Sequence, residues 1–370
     1  MLRRLSIALA VGLGIAGCSL LAPSDDELLG GSGKPGTGGA SSGGAGGTTG
    51  SGGGSGGTSP GGTGGSSAAG GSGGGAGVPS GGAGGGGGSG GTSCTPSAGP
   101  ASPRPISLII LLDRTASMVQ NNKWTLATGA VNDLANDAKA SGIQVALQYM
   151  DLTGGQCDGT GYSTPAVPFA PLPGNATALA SSMAQTTPTG VTNLEGALNG
   201  IKSMALARLA QQPDVQLVTA FITDVTAASG GGGCSTSLAV FTGILGSVWP
   251  SATTYVIALQ GAQLPVVSPL AAAGGSQAAI DASSGAPAIK AGLLRSVRPC
   301  RFAVPPGNAS FTLKLAAGDV PLTKAASAAS CDDKSWFSVA TSPSTAALCP
   351  AVCAQLDAVG SSIESVVSCP

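Results

Sequence analysis

An α/β fold is what this sequence predicts: a doubly wound, mostly parallel six-stranded sheet followed by a small cysteine-rich α+β extension. Continuous apolar runs are the first reason. Ile106-Ser-Leu-Ile-Ile-Leu-Leu112 and Val215-Gln-Leu-Val-Thr-Ala-Phe-Ile222 are near-continuous apolar stretches, so they read as strands buried on both faces, which parallel sheets require. Helix-length stretches between such runs are the second, because a strand, helix, strand order builds parallel units with right-handed crossovers and helices on both faces. The third is the change after residue 299, where short runs, turn residues and cysteines replace that rhythm.

Taken in order, strands are expected at 106–113, 143–150, 167–170, 215–222, 254–259 and 277–281. Helices are expected between them, at 123–140, 175–185, 193–211, 235–248, 265–273 and 287–297. In the extension, 310–315, 336–340 and 363–367 read as short strands between Gly, Pro and Ser turns. Trp336 and Phe337 there read as packing residues of a minimal core.

The amino terminus reads as an export leader. Arg3 and Arg4 precede the apolar stretch 5–15, too short for an ordinary membrane span but suited to a secretory h-region. Ile15-Ala-Gly-Cys18 resembles a bacterial lipobox, which implies cleavage after residue 17 and diacylation of Cys18. Ser19 in place of Asp then favours the outer membrane. Residues 1–17 are thus a lipoprotein leader and 18–29 the lipid-anchored amino terminus. From 30 to 93 every residue is Gly, Ser, Thr or Ala except Lys34, Pro35, Pro60, Val78 and Pro79. Such a stretch buries too little apolar area to offset the entropy of ordering, so it reads as a tether with an end-to-end distance of roughly 40–50 Å. The globular part divides into 94–299 and 300–370.

The formal charge is −1, and loss of Arg3 and Arg4 with the leader makes it −3. No cluster of Lys and Arg is present, so nucleic acid is not an expected partner. The chain has no histidine, which excludes Ser-His-Asp and Cys-His nucleophile activation and the usual zinc hydrolase sites. Of nine cysteines, Cys18 is reserved for lipid. Cys94, Cys157, Cys234, Cys300, Cys331, Cys349, Cys353 and Cys369 are disulfide candidates in an exported chain. Cys157 and Cys234 both fall in loops on one rim of the expected sheet, where a bridge would brace it; the other pairings stay open. Cys349-Pro-Ala-Val-Cys353 has the wrong spacing for a CxxC motif and reads as structural.

The chemistry concentrates where two apolar runs end. Asp113-Arg-Thr115-Ala-Ser117 follows the first, Asp224 follows the run ending at Ile222, and Thr192 directly precedes a helical run. Loops at the carboxyl ends of strands in an open α/β sheet converge on one rim. Carboxylates and hydroxyls are hard ligands that suit Mg²⁺, Mn²⁺ or Ca²⁺. Thr189 is an alternative to Thr192. A structural reading also exists, in which Asp113 and Asp224 only end strands and cap the following turns.

This pattern resembles the von Willebrand factor A-type domain over about 105–297, whose metal-ion-dependent adhesion site is an Asp-x-Ser/Thr-x-Ser loop, a distant Thr and a distant Asp. The resemblance implies that Ser117 and Thr192 are direct hydroxyl ligands and Thr115 a weaker, outer member. It implies that Asp113 and Asp224 hold the ion directly or through water. Val225, where the family often has Gly, and Arg114, a fixed positive charge, are departures expected to weaken metal binding. Asp151 and Asp158 lie on the same rim and read as solvated loop residues. The implied function is a cation-dependent binding module that captures an acidic group of a protein partner and touches the membrane only through its lipid. Similar cysteine-rich tails follow this domain in predicted surface lipoproteins of myxobacteria. One alternative is a structural envelope lipoprotein with a vestigial site. Another is a metal-dependent phosphatase of the haloacid dehalogenase type, but Thr115 stands where that family needs a second Asp.

Overall fold

The computed structural model describes residues 96–151, 156–226, 233–305, 307–339, 345–356 and 360–369. The expected leader 1–17, the segment 18–29 with Cys18, the tether 30–93 and Cys94 lie outside the described residues. The strands are β1 (Ser97–Pro100), β2 (Ile106–Asp113), β3 (Gln144–Met150), β4 (Val167–Pro171), β5 (Gln216–Thr223), β6 (Ala252–Ala258) and β7 (Ile280–Asp281), then β8 (Arg301–Ala303), β9 (Asn308–Leu315), β10 (Gly318–Lys324), β11 (Ser335–Val339), β12 (Thr345–Leu348) and β13 (Ser362–Ser368). The helices are α1 (Lys123–Ala135), α2 (Ala176–Gln185), α3 (Leu194–Gln211), α4 (Leu238–Gly246), α5 (Leu264–Ala273), α6 (Ala286–Ser296) and α7 (Pro350–Gln355).

Continuous burial along β2 follows from its side chains reaching two separate cores. Leu108, Ile110 and Leu112 face one, with side chains of α1, α2 and α6, whereas Ile109 and Leu111 face the other, with α3, α4 and α5. That alternation across a strand buried on both faces defines a helix–sheet–helix sandwich. The sheet order is β4-β3-β2-β5-β6-β7. Every pairing is parallel except β3 with β4. From β2 the chain moves outward to β3 and β4, then crosses back to β5 on the other side of β2. Loops after β2 and β5 therefore diverge to opposite faces, leaving a crevice at the switch point between these two strands.

The extension is built on a second sheet, ordered β1-β13-β9-β10-β11-β12-β8. Its core includes Phe302, Phe311, Trp336, Phe337 and Ile363. Trp336 is edge-on to Phe311 at 4.8 Å and Phe337 to Trp249 at 5.8 Å, so both are packing residues, as read. Disulfides Cys300–Cys353 and Cys331–Cys349 cross it. Each cysteine of the Cys349–Cys353 pair is thus bonded to a distant partner, and the structural reading of that motif holds. Buried Gln216, the first residue of β5, ties the extension on: its Oε1 accepts from Cys300 and Arg301 N–H at 2.7 and 2.9 Å, and its Nε2 donates to the Arg298 carbonyl at 2.7 Å.

Several boundaries differ from expectation for local reasons. Helix α1 ends at Ala135 rather than 140, because Asp137 accepts from its neighbour Lys139 N–H at 2.9 Å and starts a separate 3-10 turn at Ala138–Ala140. Strand β7 keeps only two of the expected residues. Strand β1, which precedes the α/β unit in sequence, is the edge strand of the second sheet, paired antiparallel with β13 from Ser97 opposite Val367. None of the described helices is long and apolar enough to cross a membrane.

Candidate metal centre

Asp113 ends β2 and Asp224 follows the last residue of β5, so adjacent parallel strands deliver both carboxylates to the crevice. Both are buried, at 1% and 4% exposure. Asp113 Oδ1 accepts from the Thr115 amide at 2.9 Å and the Thr115 hydroxyl at 2.7 Å, while Oδ2 accepts from the Thr223 hydroxyl at 2.6 Å. Thr115 Oγ1 and Ser117 Oγ lie 3.0 Å apart, and Ser117 donates to Asp224 Oδ1 at 2.9 Å. An unbroken chain of oxygens therefore runs from Asp113 through Thr115 and Ser117 to Asp224.

That chain is short of protons. Its three oxygen–oxygen links from Asp113 to Asp224 share only the hydroxyl hydrogens of Thr115 and Ser117, because an ionised carboxylate contributes none. One link therefore sets lone pair against lone pair unless a further proton or a cation enters. The spacing suits a cation. Around Mg²⁺ with bonds of about 2.1 Å in octahedral geometry, neighbouring ligand oxygens lie about 3 Å apart. The Thr115–Ser117 and Ser117–Asp224 pairs already stand at that distance. The donor set fits a hard divalent cation. Burial pushes the Asp113 carboxyl up from 3.8 to about 6, with the negative Asp224 adding to the rise, against hydrogen bonds from Thr223 and Thr115 that pull it down.

Thr192 is placed less directly. It is half-buried just before the Asn193 cap of α3, and its hydroxyl has no hydrogen-bond partner among the described residues. Its loop is nevertheless stitched to the Asp113 loop, since Thr189 N–H donates to the Arg114 carbonyl at 2.8 Å and Ala116 N–H to the Gly190 carbonyl at 3.2 Å. The exposed alternative, Thr189, uses its amide in that stitch.

Arg114 and Val225, the two residues expected to weaken metal binding, both turn away from the oxygens. Arg114 bonds the carboxylate of Asp151 and lies 5.8 Å from the Tyr149 ring centroid, so its charge is compensated locally. Asp151 is accordingly buried, not the solvated residue expected, because an ion pair replaces its water; Asp158 is exposed and bonds the Thr160 amide. Val225 packs into the apolar core beside α4 and α5 rather than over the crevice.

Two members were not found from sequence. Thr223 had a signal in its position directly before Asp224, at the mouth of the sheet. Lys123, the first residue of α1, is 6% exposed and its ammonium ion-pairs with Asp224 Oδ2. The only hint was a cation at a helix start, where the dipole disfavours it.

The Cys157–Cys234 bridge is present, spanning 77 positions and joining the loop after β3 to the segment before α4. Gln156 and Cys157 carbonyls accept from Asn193 and Asn199 of the α3 region at 3.4 and 2.7 Å. Gly196 permits that approach: a Cβ there would fall 2.3 Å from the Gln156 carbonyl oxygen. Cys157 and Cys234 also gather with Glu195, but sulfurs bonded to each other offer no thiolate, and Glu195 accepts the Ser235 amide at 2.6 Å. Cys369 is also disulfide-bonded.

No family model matches the chain. No curated protein matches it either. Among solved structures, it is similar to a von Willebrand factor type A protein from Catenulispora acidiphila, with 12% identity, 74% of this chain and 60% of that one covered, and a TM-score of 0.42. It is similar to the pilus adhesin SpaC from Lactobacillus rhamnosus GG, with 11% identity, 72% and 39% covered, and a TM-score of 0.41. It is also similar to proximal thread matrix protein 1 from the mussel byssus with a zinc-occupied MIDAS motif, with 14% identity, 47% and 41% covered, and a TM-score of 0.34. This chain spans less than two thirds of the length of each of them.

Proposed function

We propose that this chain is an envelope-anchored binding module that uses a divalent cation, Mg²⁺ or else Mn²⁺ or Ca²⁺, held by Asp113, Thr115, Ser117, Thr192 and Asp224, to capture an acidic group of a protein partner. The carrying observation is the proton-deficient run of hard oxygens from Asp113 to Asp224 at cation-ligand spacing. A divalent cation there supplies attraction for an anionic oxygen. The protein's residues supply two buried carboxylates that balance its charge, so an incoming carboxylate exchanges for water without a large excess of either sign.

The surroundings support a protein partner. Val119, Val191 and Leu264 are exposed by 60%, 54% and 43%. Val119 and Val191 sit on the two stitched loops, and Leu264 follows Gln263, whose amide donates to the Val225 carbonyl at 3.1 Å. Exposed apolar side chains beside a polar centre suit a macromolecular contact. Export with lipid at Cys18, toward the outer membrane, completes the reading, and the disulfides agree with an oxidising compartment. Binding is preferred to phosphatase catalysis because Thr115, not an acid, bonds Asp113.

Titration calorimetry of the purified chain with Mg²⁺, Mn²⁺ and Ca²⁺ tests the site. Saturable heat that disappears in Ser117→Ala and Asp224→Asn is expected; a silent wild type, with no shift in melting temperature, would sink the reading. Crosslinking capture of envelope proteins with and without chelator then tests the partner. A second reading, a structural lipoprotein with a vestigial site, is favoured by one observation, the ammonium of Lys123 on Asp224.

A further inference from the structure

Lys123 is oddly placed for a structural cation. It opens α1, where unpaired amide hydrogens and the helix dipole already concentrate positive charge. The two residues before it, Asn121 and Asn122, both adopt left-handed backbone, with φ of 53° and 56°. Consecutive non-glycine residues in that region cost conformational energy. This strained turn closes the 3-10 segment Ala116–Asn122 that follows the Asp113 loop, and it starts α1 with Lys123 facing the crevice. Its ammonium pairs with Oδ2 of Asp224, the carboxylate whose Oδ1 accepts from Ser117.

We propose that Lys123 is a resident counter-cation: it holds Asp224 when no divalent ion is bound and yields that carboxylate when one binds. This rests on the reading of the cluster as a cation site and adds how that site is regulated. Two carboxylates compensate one doubly charged ion, so a retained ammonium in the same buried crevice leaves an excess positive charge. The same residue protects the protein before loading, since Asp224 without a cation would be a buried, uncompensated charge. The consequence is a site set for weak, exchangeable occupancy, because every binding event must first break an internal ion pair.

The test uses the full chain, with Mn²⁺ and Mg²⁺ as probes. Lys123→Gln and Lys123→Met should bind Mn²⁺ at least tenfold more tightly than wild type, while Lys123→Arg stays near wild type. In chelator, the Gln and Met variants should melt below wild type. A measurement on wild type alone stands if those variants do not fold: amine-reactive labelling of Lys123, read by mass spectrometry, should be slow in chelator and rise several-fold with saturating Mn²⁺. Equal or weaker Mn²⁺ affinity in both variants, or labelling unmoved by a cation that demonstrably binds, overturns the proposal while leaving the metal site standing. Absence of cation binding in wild type and in both variants overturns the metal site itself, and this proposal with it.

Discussion

Thr223 donates its hydroxyl to Asp113 Oδ2 at 2.6 Å, joining the last residues of β5 and β2 across the switch point of the sheet, and Thr223 Oγ1 in turn accepts from the Val225 amide at 3.0 Å. One side chain thus anchors the first acid and shapes the turn that carries the second. Thr223→Val keeps the volume and removes both bonds, leaving a buried acceptor and a buried donor short of a partner. Unfolding in urea with chelator present should show a loss of about 1–3 kcal/mol. A wild-type midpoint would mean that the contact is incidental.

Asp113 makes the chelated protein less stable as pH rises. Its carboxyl titrates near 6 in the fold against 3.8 as the ordinary value, so between those limits the native state binds more protons than the unfolded one. Stability from this group is therefore full below about pH 4, falls through pH 6 and is level above it, by at most about 3 kcal/mol. Asp137, Asp158, Asp281 and Asp332, held below the usual range by hydrogen bonds, act in the opposite sense at lower pH. The difference between wild type and Asp113→Asn isolates the first effect. The variant should be the more stable protein at pH 7.5 in chelator and should not respond to Mn²⁺.

The Cys157–Cys234 bridge closes 77 positions, which on loop-entropy grounds contributes up to about 4.5 kcal/mol. Replacing both cysteines with Ala should lower the unfolding midpoint and also weaken Mn²⁺ binding, because the bridged loops lie on the crevice side. The same replacement at Cys300 and Cys353 in the second sheet should lower stability and leave Mn²⁺ affinity unchanged. Equal effects on affinity would show that neither bridge is specific to the site.

Arg114 follows Asp113 directly but is held by Asp151, so its charge should matter little to a bound ion. Arg114→Ala should change Mn²⁺ affinity by no more than roughly fivefold, the range of partly exposed ion pairs. Asp151→Asn releases the guanidinium and should weaken binding more than Arg114→Ala changes it. The reverse order in calorimetry would show that Arg114 opposes the ion in the folded state.

Local pattern was enough for the frame. The run 106–113 became a strand over the expected residues, β5 shifted by one position, and α2 and α3 agreed within one residue, because continuous apolar runs and helix-length spacers are properties of neighbouring residues. From that order alone, Asp113 and Asp224 could be assigned to one rim, and the Cys157–Cys234 pairing became reasonable. The transfer of β1 to the second sheet was not legible, since pairing partners such as Ser97 and Val367 are far apart in the chain. Strands β10 and β12 pair with their sequence neighbours β9 and β11 and were hidden for local reasons: Pro321 interrupts the first, and the second is the short, Ala-rich Thr345–Leu348.

What the sequence by itself determined was a doubly wound sheet with two acids and a Thr-x-Ser loop at the strand ends, since strand burial and connection order dictate where strand ends meet. Tertiary structure alone decided which charges face that crevice. It turned Arg114 away onto Asp151, sank Val225 into the core and brought the Lys123 ammonium onto Asp224. The physical reason is that a long side chain's destination depends on helix orientation, on a strained turn such as Asn121–Asn122 and on the nearest buried opposite charge, none of which is encoded by local spacing.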